Sequence, residues 1–222
     1  MVELILASQS PRRRELIKLL GYPVRVERAD VDESLVTDPD PAVNVVETAR
    51  LKAVKIAEQW RQSNDKGDVV VATDTTVALQ GEMLGKPVDA ADARRMLRAL
   101  RNRTHEVHTG VVLWALGTGR EVSGVNTAVV TMRDYSDSEI ETYIASSDPM
   151  DKAGAYAIQH PTFRPVVRLD GCFTGVMGLS VCHLLHLFSQ LGLTMRADLT
   201  AVTAAHQRFP CLLLDEIVNS SN

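Results

Sequence analysis

The chain has 222 residues, 45% of them apolar, and a formal net charge of -4. This is enough apolar material for a sizeable core in one domain, or for two lobes sharing one. The acidic balance excludes a protein built to coat nucleic acid or an anionic membrane, and no apolar run approaches the roughly 20 residues of a membrane span.

Residues 3–7 read as a buried strand and 11–20 as a helix closed by Gly21. Glu3 sits inside that first short run and arginines follow it, so the start does not read as a secretory signal. Between strand and helix lie Ser8, Gln9 and Ser10, then Pro11 and Arg12 to Arg14. Ser10 is placed to cap the helix, and Pro11 suits its first turn, where no backbone N–H is needed. Hydroxyls, guanidinium groups and free N–H groups at one helix start attract phosphate. Tyr22 to Glu27 alternates as a second strand.

The acidic, turn-rich stretch Ala29 to Asp40 precedes a long helix started by Asp40 and Pro41. Its buried face is expected to comprise Val43, Val46, Ala53, Ala57 and Trp60, with Glu47, Arg50, Lys52 and Lys55 elsewhere. A polar break covers 64–68. Val69 to Ala72 is a buried strand that is expected to end at Thr73, Asp74, Thr75 and Thr76, with strand resuming over Val77 to Leu79 and a turn at Gly81. Gly85-Lys86-Pro87 is a stiff loop. Asp89 or Asp92 caps a helix running through Arg101, with Met96, Leu97 and Leu100 inward.

Thr104 to Leu116 and Glu121 to Arg133 form a long hairpin. Ser136 to Glu139 is a capping box for a helix to about Ala145. Asp148 to Gln159 reads as loop plus a short extended piece, Val166 to Leu169 as strand and Leu179 to Leu191 as helix. Residues 192–222 read as one further helix and an apolar stretch at Cys211 to Leu214. Mixed helices and strands with one long hairpin predict an α/β fold with a mixed sheet.

Three polar clusters end apolar runs: Ser8 to Arg13, Asp74 with its threonines, and Lys86. Strand ends are where α/β sheets usually bind ligands. A turn-forming aspartate would account for Asp74 alone. It would not account for the lysine in a rigid loop soon after, nor for Asp32 and Glu33.

The segments Ser8-Gln-Ser-Pro-Arg-Arg-Arg-Glu-Leu16, Val31-Asp-Glu-Ser34, Ala72-Thr-Asp-Thr75, Leu84-Gly-Lys-Pro87, Thr104-His-Glu-Val-His-Thr-Gly-Val111 and Asp151-Lys-Ala-Gly-Ala-Tyr-Ala-Ile-Gln159 occur in that order. Together they resemble the Maf family of nucleoside triphosphate pyrophosphatases, over about residues 3–191. The resemblance implies a fold like that of inosine triphosphatases: an elongated, mixed and largely antiparallel sheet with flanking helices, two lobes and a central cleft. It implies residues 1–191 as the nucleotide pyrophosphatase domain and 192–222 as a C-terminal extension without counterpart. It implies cleavage of a nucleoside triphosphate to monophosphate and pyrophosphate with a divalent metal cation, Mg or Mn.

By the same resemblance Asp74 is the catalytic base, and Arg12, Thr75 and Gln159 match positions linked to base preference. Ser8, Arg13, Glu33, Lys52 and Lys86 match polar residues lining the cleft. The run from Asp151 to Gln159 is typical of the branch that prefers dTTP and UTP, although Ala157 and His160 stand where glycines are usual. The chemistry is coherent. Arg12, Arg13, Lys52 and Lys86 suit the roughly four charges of a triphosphate, with Ser10 beside them. Glu33 and Asp74 offer hard oxygens to a metal. Asp74 is the candidate to orient a water for direct attack on phosphorus.

The alternative is a nucleotide-responsive binding protein acting in cell division, which intact Asp74, Glu33, Lys52 and Lys86 disfavour. Cys172, Cys182 and Cys211 lack Cys-x-x-Cys spacing and predict a reducing cytoplasm without disulfides. His183 and His186, beside Cys182, are too few for zinc without a second cluster. Arg94, Arg98 and Arg101 share a helix face read as solvated. His105 and His108 are expected to face the same side of a strand. A homodimer is the default oligomeric state, with no nucleic-acid or membrane partner.

Overall fold

The structure, a computed structural model, describes residues 2–60, 68–207 and 209–220. Most of the expected polar break at 64–68 lies outside the described residues. Strands β1 (Leu4–Ala7), β2 (Val24–Glu27), β3 (Val69–Leu79), β4 (Glu82–Leu84), β5 (Thr104–Ala115), β6 (Glu121–Met132) and β7 (Val166–Asp170) form one sheet. Its order is β2-β1-β3-β5-β6-β7, with β4 paired to β3. β1 runs parallel to β2 and β3, and every other pair is antiparallel. The sheet is therefore mixed and largely antiparallel, as expected.

β3 departs from the sequence reading. The expected break at Thr73 to Thr76 does not occur, and Asp74 sits mid-strand opposite Gly110. Valine and threonine, β-branched, dominate this stretch and favour extended backbone. The polar residues are paired in register with β5 from Thr73↔Val111 to Thr76↔His108, so nothing forces the chain out of the sheet.

Alternation along β1 and β3 sends odd and even residues to opposite faces. Leu4, Leu6, Val69 and Val71 join one apolar cluster with Ile17 of α1 (Pro11–Lys18) and Leu184 of α6 (Val181–Gln190). Ile5, Ala7, Val70 and Ala72 face α2 (Pro41–Trp60), where Ala49, Ala53 and Ile56 cover them. The far end of the sheet carries a separate core. There Val77, Val107, Ala128 and Val130 pack with Met96, Leu97 and Leu100 of α3 (Ala90–Leu100) and with Ile140 and Tyr143 of α4 (Asp137–Ala145). Two lobes thus share the continuous strands β3 and β5.

The caps follow the sequence closely. Asp40 Oδ1 accepts from Ala42 N at 2.8 Å, Asp89 Oδ1 accepts from Asp92 N at 2.8 Å, and Ser136 with Glu139 forms the capping box. Ser10 is the exception. It stands at the N-cap of α1, but its side chain makes no capping bond. Arg94 pairs with Glu141, while Arg98 and Arg101 both reach Asp137. The arginine face read as solvated therefore clips α3 to α4.

His105 and His108 are three residues apart, so alternation puts them on opposite faces, against expectation. His105 meets the Tyr156 hydroxyl at 2.8 Å and His108 meets the Thr127 hydroxyl at 2.9 Å. Between Asp148 and Gln159 the chain makes tight 3-10 turns, not an extended piece. Gly154 there has φ +68 and lies so close to Val77 that a Cβ would come within 2.9 Å of it.

The C-terminal region holds α5 (Phe173–Val176), α6, α7 (Leu199–Ala205) and α8 (Leu212–Ser220). It thus has two helices beyond α6, where the sequence suggested one and an apolar stretch. Val202, Cys211 and Leu214 belong to the same cluster as Leu4 and Leu6. Among the described residues no helix is long and apolar enough to cross a membrane.

α2 also corrects the pattern reading. Val43 is 41% exposed, while Val45, Ala49, Lys52 and Ala53 form the buried stripe. A stripe spaced four, three and one residues apart is one helix face. The reason lies in the strand beneath. A Cβ on Gly110 would come within 2.4 Å of the Val45 carbonyl oxygen. Only glycine lets the helix backbone descend this far. Gly110→Ala should lift α2 and cost about 1–3 kcal/mol, the usual range for overpacking a filled site. Urea denaturation of the purified variant measures this, and an unchanged midpoint would show that α2 yields without cost.

Candidate active site

One cavity of about 890 Å³ opens where the lobes meet. Its size is in the range of small-molecule sites. Ser8, Ser10, Arg12, Arg13, Glu33, Lys52, Asp74, Thr75, Lys86 and Gln159 all line it. The structure therefore brings these ten candidate catalytic, substrate-binding and metal-binding residues to one place.

The centre of the site is Lys52. Its Nζ lies 2.7 Å from Asp74 Oδ1 and 2.8 Å from Glu33 Oε1. The lysine side chain is 8% exposed, Asp74 18% and Glu33 57%. A buried ammonium must be paired, and both partners point at it from different elements. Asp74 comes from β3, on the face that α2 covers. Glu33 comes from a 3-10 turn whose start is fixed by Asp32, which accepts from Ser34 N at 3.1 Å. Burial works to raise the Glu33 carboxyl, but the hydrogen bond and charge of Lys52, helped by Lys86 and Arg13, outweigh it and hold the group below its ordinary value.

Arg13 is the second anchor. Its Nε donates to the Gly178 carbonyl at 2.9 Å, and its two terminal nitrogens reach Ser8 Oγ and Thr75 Oγ1, each at 3.3 Å. Desolvation pushes this guanidinium down from its ordinary value, Asp74 and Glu33 pull it back up, and Arg12 adds to the fall. Sequence reasoning missed several supports of this arrangement. Thr109 shares a 3.0 Å hydrogen bond with Thr75 and donates to the Gly175 carbonyl at 2.8 Å. The Gly178 carbonyl also accepts from Thr73 Oγ1 at 3.3 Å. The Thr-Gly pair at 109–110 was the available signal, since it lies within a quoted motif without a role of its own.

Arg12 makes a 3.1 Å ion pair with Asp151, joining α1 to the turn at the other side of the cleft. Lys152, buried, holds that turn by bonding Asp151 Oδ1 at 2.6 Å and Asp148 Oδ1 at 3.0 Å. The Gly154 amide donates to the Gly85 carbonyl at 3.0 Å, so the same turn also carries the loop of Lys86.

Two groups remain uncommitted. Lys86 is exposed and forms no ion pair among the described residues, although its charge reaches Glu33. Gln159 is half-buried, and its amide has no hydrogen-bond partner among the described residues. A cation and an amide left free inside a polar cavity are groups available to a ligand.

The cavity thus sets six cations, Arg12, Arg13, Arg28, Lys52, Lys86 and Lys152, against three carboxylates, Glu33, Asp74 and Asp151. Such a site favours a polyanion. Among the described residues no three acidic or imidazole groups converge here, so Glu33 and Asp74 could hold an ion only together with ligands brought by substrate and water.

The depression of Glu33 has a fixed sign. Its stabilising contribution is complete above its ordinary value of 4.5 and fades as pH falls through the lower folded value. In a Lys52→Met protein the main opposing cation is gone, and burial should carry the Glu33 titration upward. Carboxyl NMR titration of both proteins tests this, and an unmoved Glu33 would exclude Lys52 as the cause.

A family model described as Maf-like protein matches residues 3–191. The dTTP/UTP pyrophosphatase of Dictyoglomus thermophilum is 39% identical over 87% of this chain and 98% of its own length. Proteins of the same description from Thermomicrobium roseum and Anaeromyxobacter dehalogenans are 44% and 43% identical over 85% of this chain, covering 84% and 94% of theirs. A crystal structure of a nucleoside-triphosphatase / dITP/XTP pyrophosphatase from Mycobacterium abscessus overlaps 59% of this chain and 74% of that one, at 20% identity and a TM-score of 0.36, too loosely to bear on either fold or chemistry.

Proposed function

Because the chain belongs to the Maf family, we propose that it hydrolyses nucleoside triphosphates, dTTP and UTP foremost, to the monophosphate and pyrophosphate. The observation that supports this most is the gathering of Arg12, Arg13 and Lys86 in one cavity with a pair of carboxylates bridged by Lys52. A triphosphate brings roughly four negative charges, and guanidinium and ammonium groups are its usual partners.

In this reading Arg12, Arg13 and Lys86 receive the phosphates, with the Ser8 and Ser10 hydroxyls beside them. Lys52 occupies one oxygen of Asp74 and fixes the carboxylate plane. The other oxygen is left to align a water and take its proton as it attacks phosphorus opposite the leaving pyrophosphate. Glu33 and Asp74 are hard oxygen donors, and two carboxylates completed by phosphate oxygens and water suit Mg or Mn. Such an ion, when bound, neutralises charge that develops on the phosphate oxygens. The cytoplasm, where nucleoside triphosphates are made and used, is the compartment for this activity.

Gln159 reads the base. Its amide, without a hydrogen-bond partner among the described residues, carries donors and an acceptor, which complement the alternating acceptor, donor and acceptor of uracil or thymine. Arg12 and Thr75 border the same space.

Pyrophosphate release from a nucleotide panel with Mg or Mn tests the assignment. dTTP and UTP should turn over fastest, CTP less well, and ATP and GTP poorly. A preference for GTP or 7-methyl-GTP would overturn it. Asp74→Asn should cost about 10²–10⁴-fold in kcat with nucleotide binding retained, since it removes the base and keeps the shape. Near-normal turnover would take the role from Asp74.

Gln159→Ala should narrow the gap in kcat/KM between UTP and the other nucleotides, because a polar group that reads a base edge discriminates strongly. An unchanged profile would locate base selection elsewhere in the cavity.

A further inference from the structure

Outside the cavity, three thiols and one imidazole converge beneath the C-terminal helices. Cys172, Cys182, His206 and Cys211 are each 4% exposed or less, and their ligand atoms all lie within 4.8 Å of one another. Each comes from a different local structure. Cys172 caps α5, Cys182 lies in the first turn of α6, His206 closes α7, and Cys211 precedes α8.

Three of the six separations are close to the edges of a zinc tetrahedron. His206 Nε2 lies 3.4 Å from both Cys172 Sγ and Cys182 Sγ, and Cys211 Sγ lies 3.9 Å from Cys182 Sγ. Zinc bound at about 2.3 Å to sulfur and about 2.0–2.1 Å to nitrogen places sulfurs about 3.8 Å apart and sulfur about 3.5 Å from nitrogen.

The groups around the four are set for coordination as well. His206 Nδ1 lies 2.8 Å from the Val202 carbonyl. A carbonyl only accepts, so Nδ1 carries a proton and Nε2 is the nitrogen turned toward the sulfurs, the one available to a metal. Thr174 Oγ1 accepts from Val181 N at 3.0 Å, which leaves its own proton for Cys172 Sγ, 3.1 Å away. A hydroxyl donating to sulfur supports a thiolate. All three cysteines are free, so no disulfide consumes them.

We propose that Cys172, Cys182, His206 and Cys211 form a structural Cys3His zinc site that fastens the C-terminal extension to the nucleotide-binding fold. Three sulfurs and one imidazole gathered within 4.8 Å and shielded from solvent match the ligand set of a closed structural site and select zinc over the hard ion proposed for the carboxylates. On binding, each coordinating thiol gives its proton to solvent and no electron is transferred. Two ligands lie inside the segment matched by the family model and two beyond it, so the site is a property of this chain's extension. His183 and His186, weighed in the sequence as zinc ligands, take no part. His183 Nδ1 faces Ser180 Oγ at 3.0 Å and His186 faces Gln190 at 3.2 Å.

The test is the metal content of the full chain, purified under reducing conditions from zinc-supplemented cells and then dialysed against EDTA. About one zinc per chain should remain, and Cys211→Ala and His206→Ala should each lose it. Cobalt reconstitution of the unaltered chain covers the case in which a variant does not fold. Thiolate-to-cobalt charge-transfer absorption with tetrahedral d–d bands is expected. Removing the zinc with a thiol-reactive mercurial should expose residues 192–220 to limited proteolysis. A chain that takes up neither zinc nor cobalt at these thiols, a Cys182–Cys211 disulfide in the protein as isolated, or zinc retained by the His206→Ala, Cys211→Ala double variant would each overturn the proposal.

Discussion

The arrangement turns on one buried ammonium. Lys52 sits on the face of α2 that packs against the sheet, a position that would otherwise hold an apolar side chain. A charge there is tolerable only with partners, and it has two, Asp74 beneath it and Glu33 beside it. Three separate pieces of structure must therefore be right at once. β3 must run unbroken through Asp74, α2 must lie close to β5, and the acidic turn must fold back over the helix. Gly110, directly across the ladder from Asp74, is where the second condition is met. Docking of a helix, register of a sheet and charge of a cleft are here one problem.

Electrostatics and topology then divide the work. The sheet does not end at the cleft; its strands pass from one core into the other. On the odd-numbered face of β3, α1 and α6 cover one half of the sheet while α3 and α4 cover the other, and the partly exposed Thr75 and Asp74 line the cleft where these coverings part. Arg12 and Asp151 tie the sides together across this opening, and the buried Lys152 keeps that tie in place.

Much of this was legible in the residues. The capping residues Asp40, Asp89 and Ser136 announced their helices because a side-chain oxygen beside free amides is a local device. Ser8 to Arg13, Glu33, Asp74 and Lys86 were legible as polar groups that packing does not explain, whereas Lys52, Gln159 and a role for Thr75 came only through the family resemblance. What escaped was set by tertiary packing. Val43 and Val45 look alike in sequence, and only the crossing over Gly110 buries one and exposes the other. Threonines that suggested the end of a strand were instead its polar middle, because β5 satisfies their backbone. Cys172, Cys182, His206 and Cys211 follow no short spacing, and only the docking of α7 and α8 brings them together.

The same docking bears on how the chain acquires its shape. The apolar cluster that begins with Leu4 and Leu6 also contains Val202, Cys211 and Leu214, about two hundred positions later. Contacts so distant in sequence are costly to close and slow to form. During synthesis the first strand leaves the ribosome long before its last neighbours exist. The partly made chain must carry an incomplete core on that face, with apolar surface open to chaperones and to other nascent chains. The α2 side closes much earlier, once residues 69 to 115 are in place. The two faces of one sheet thus mature at different times.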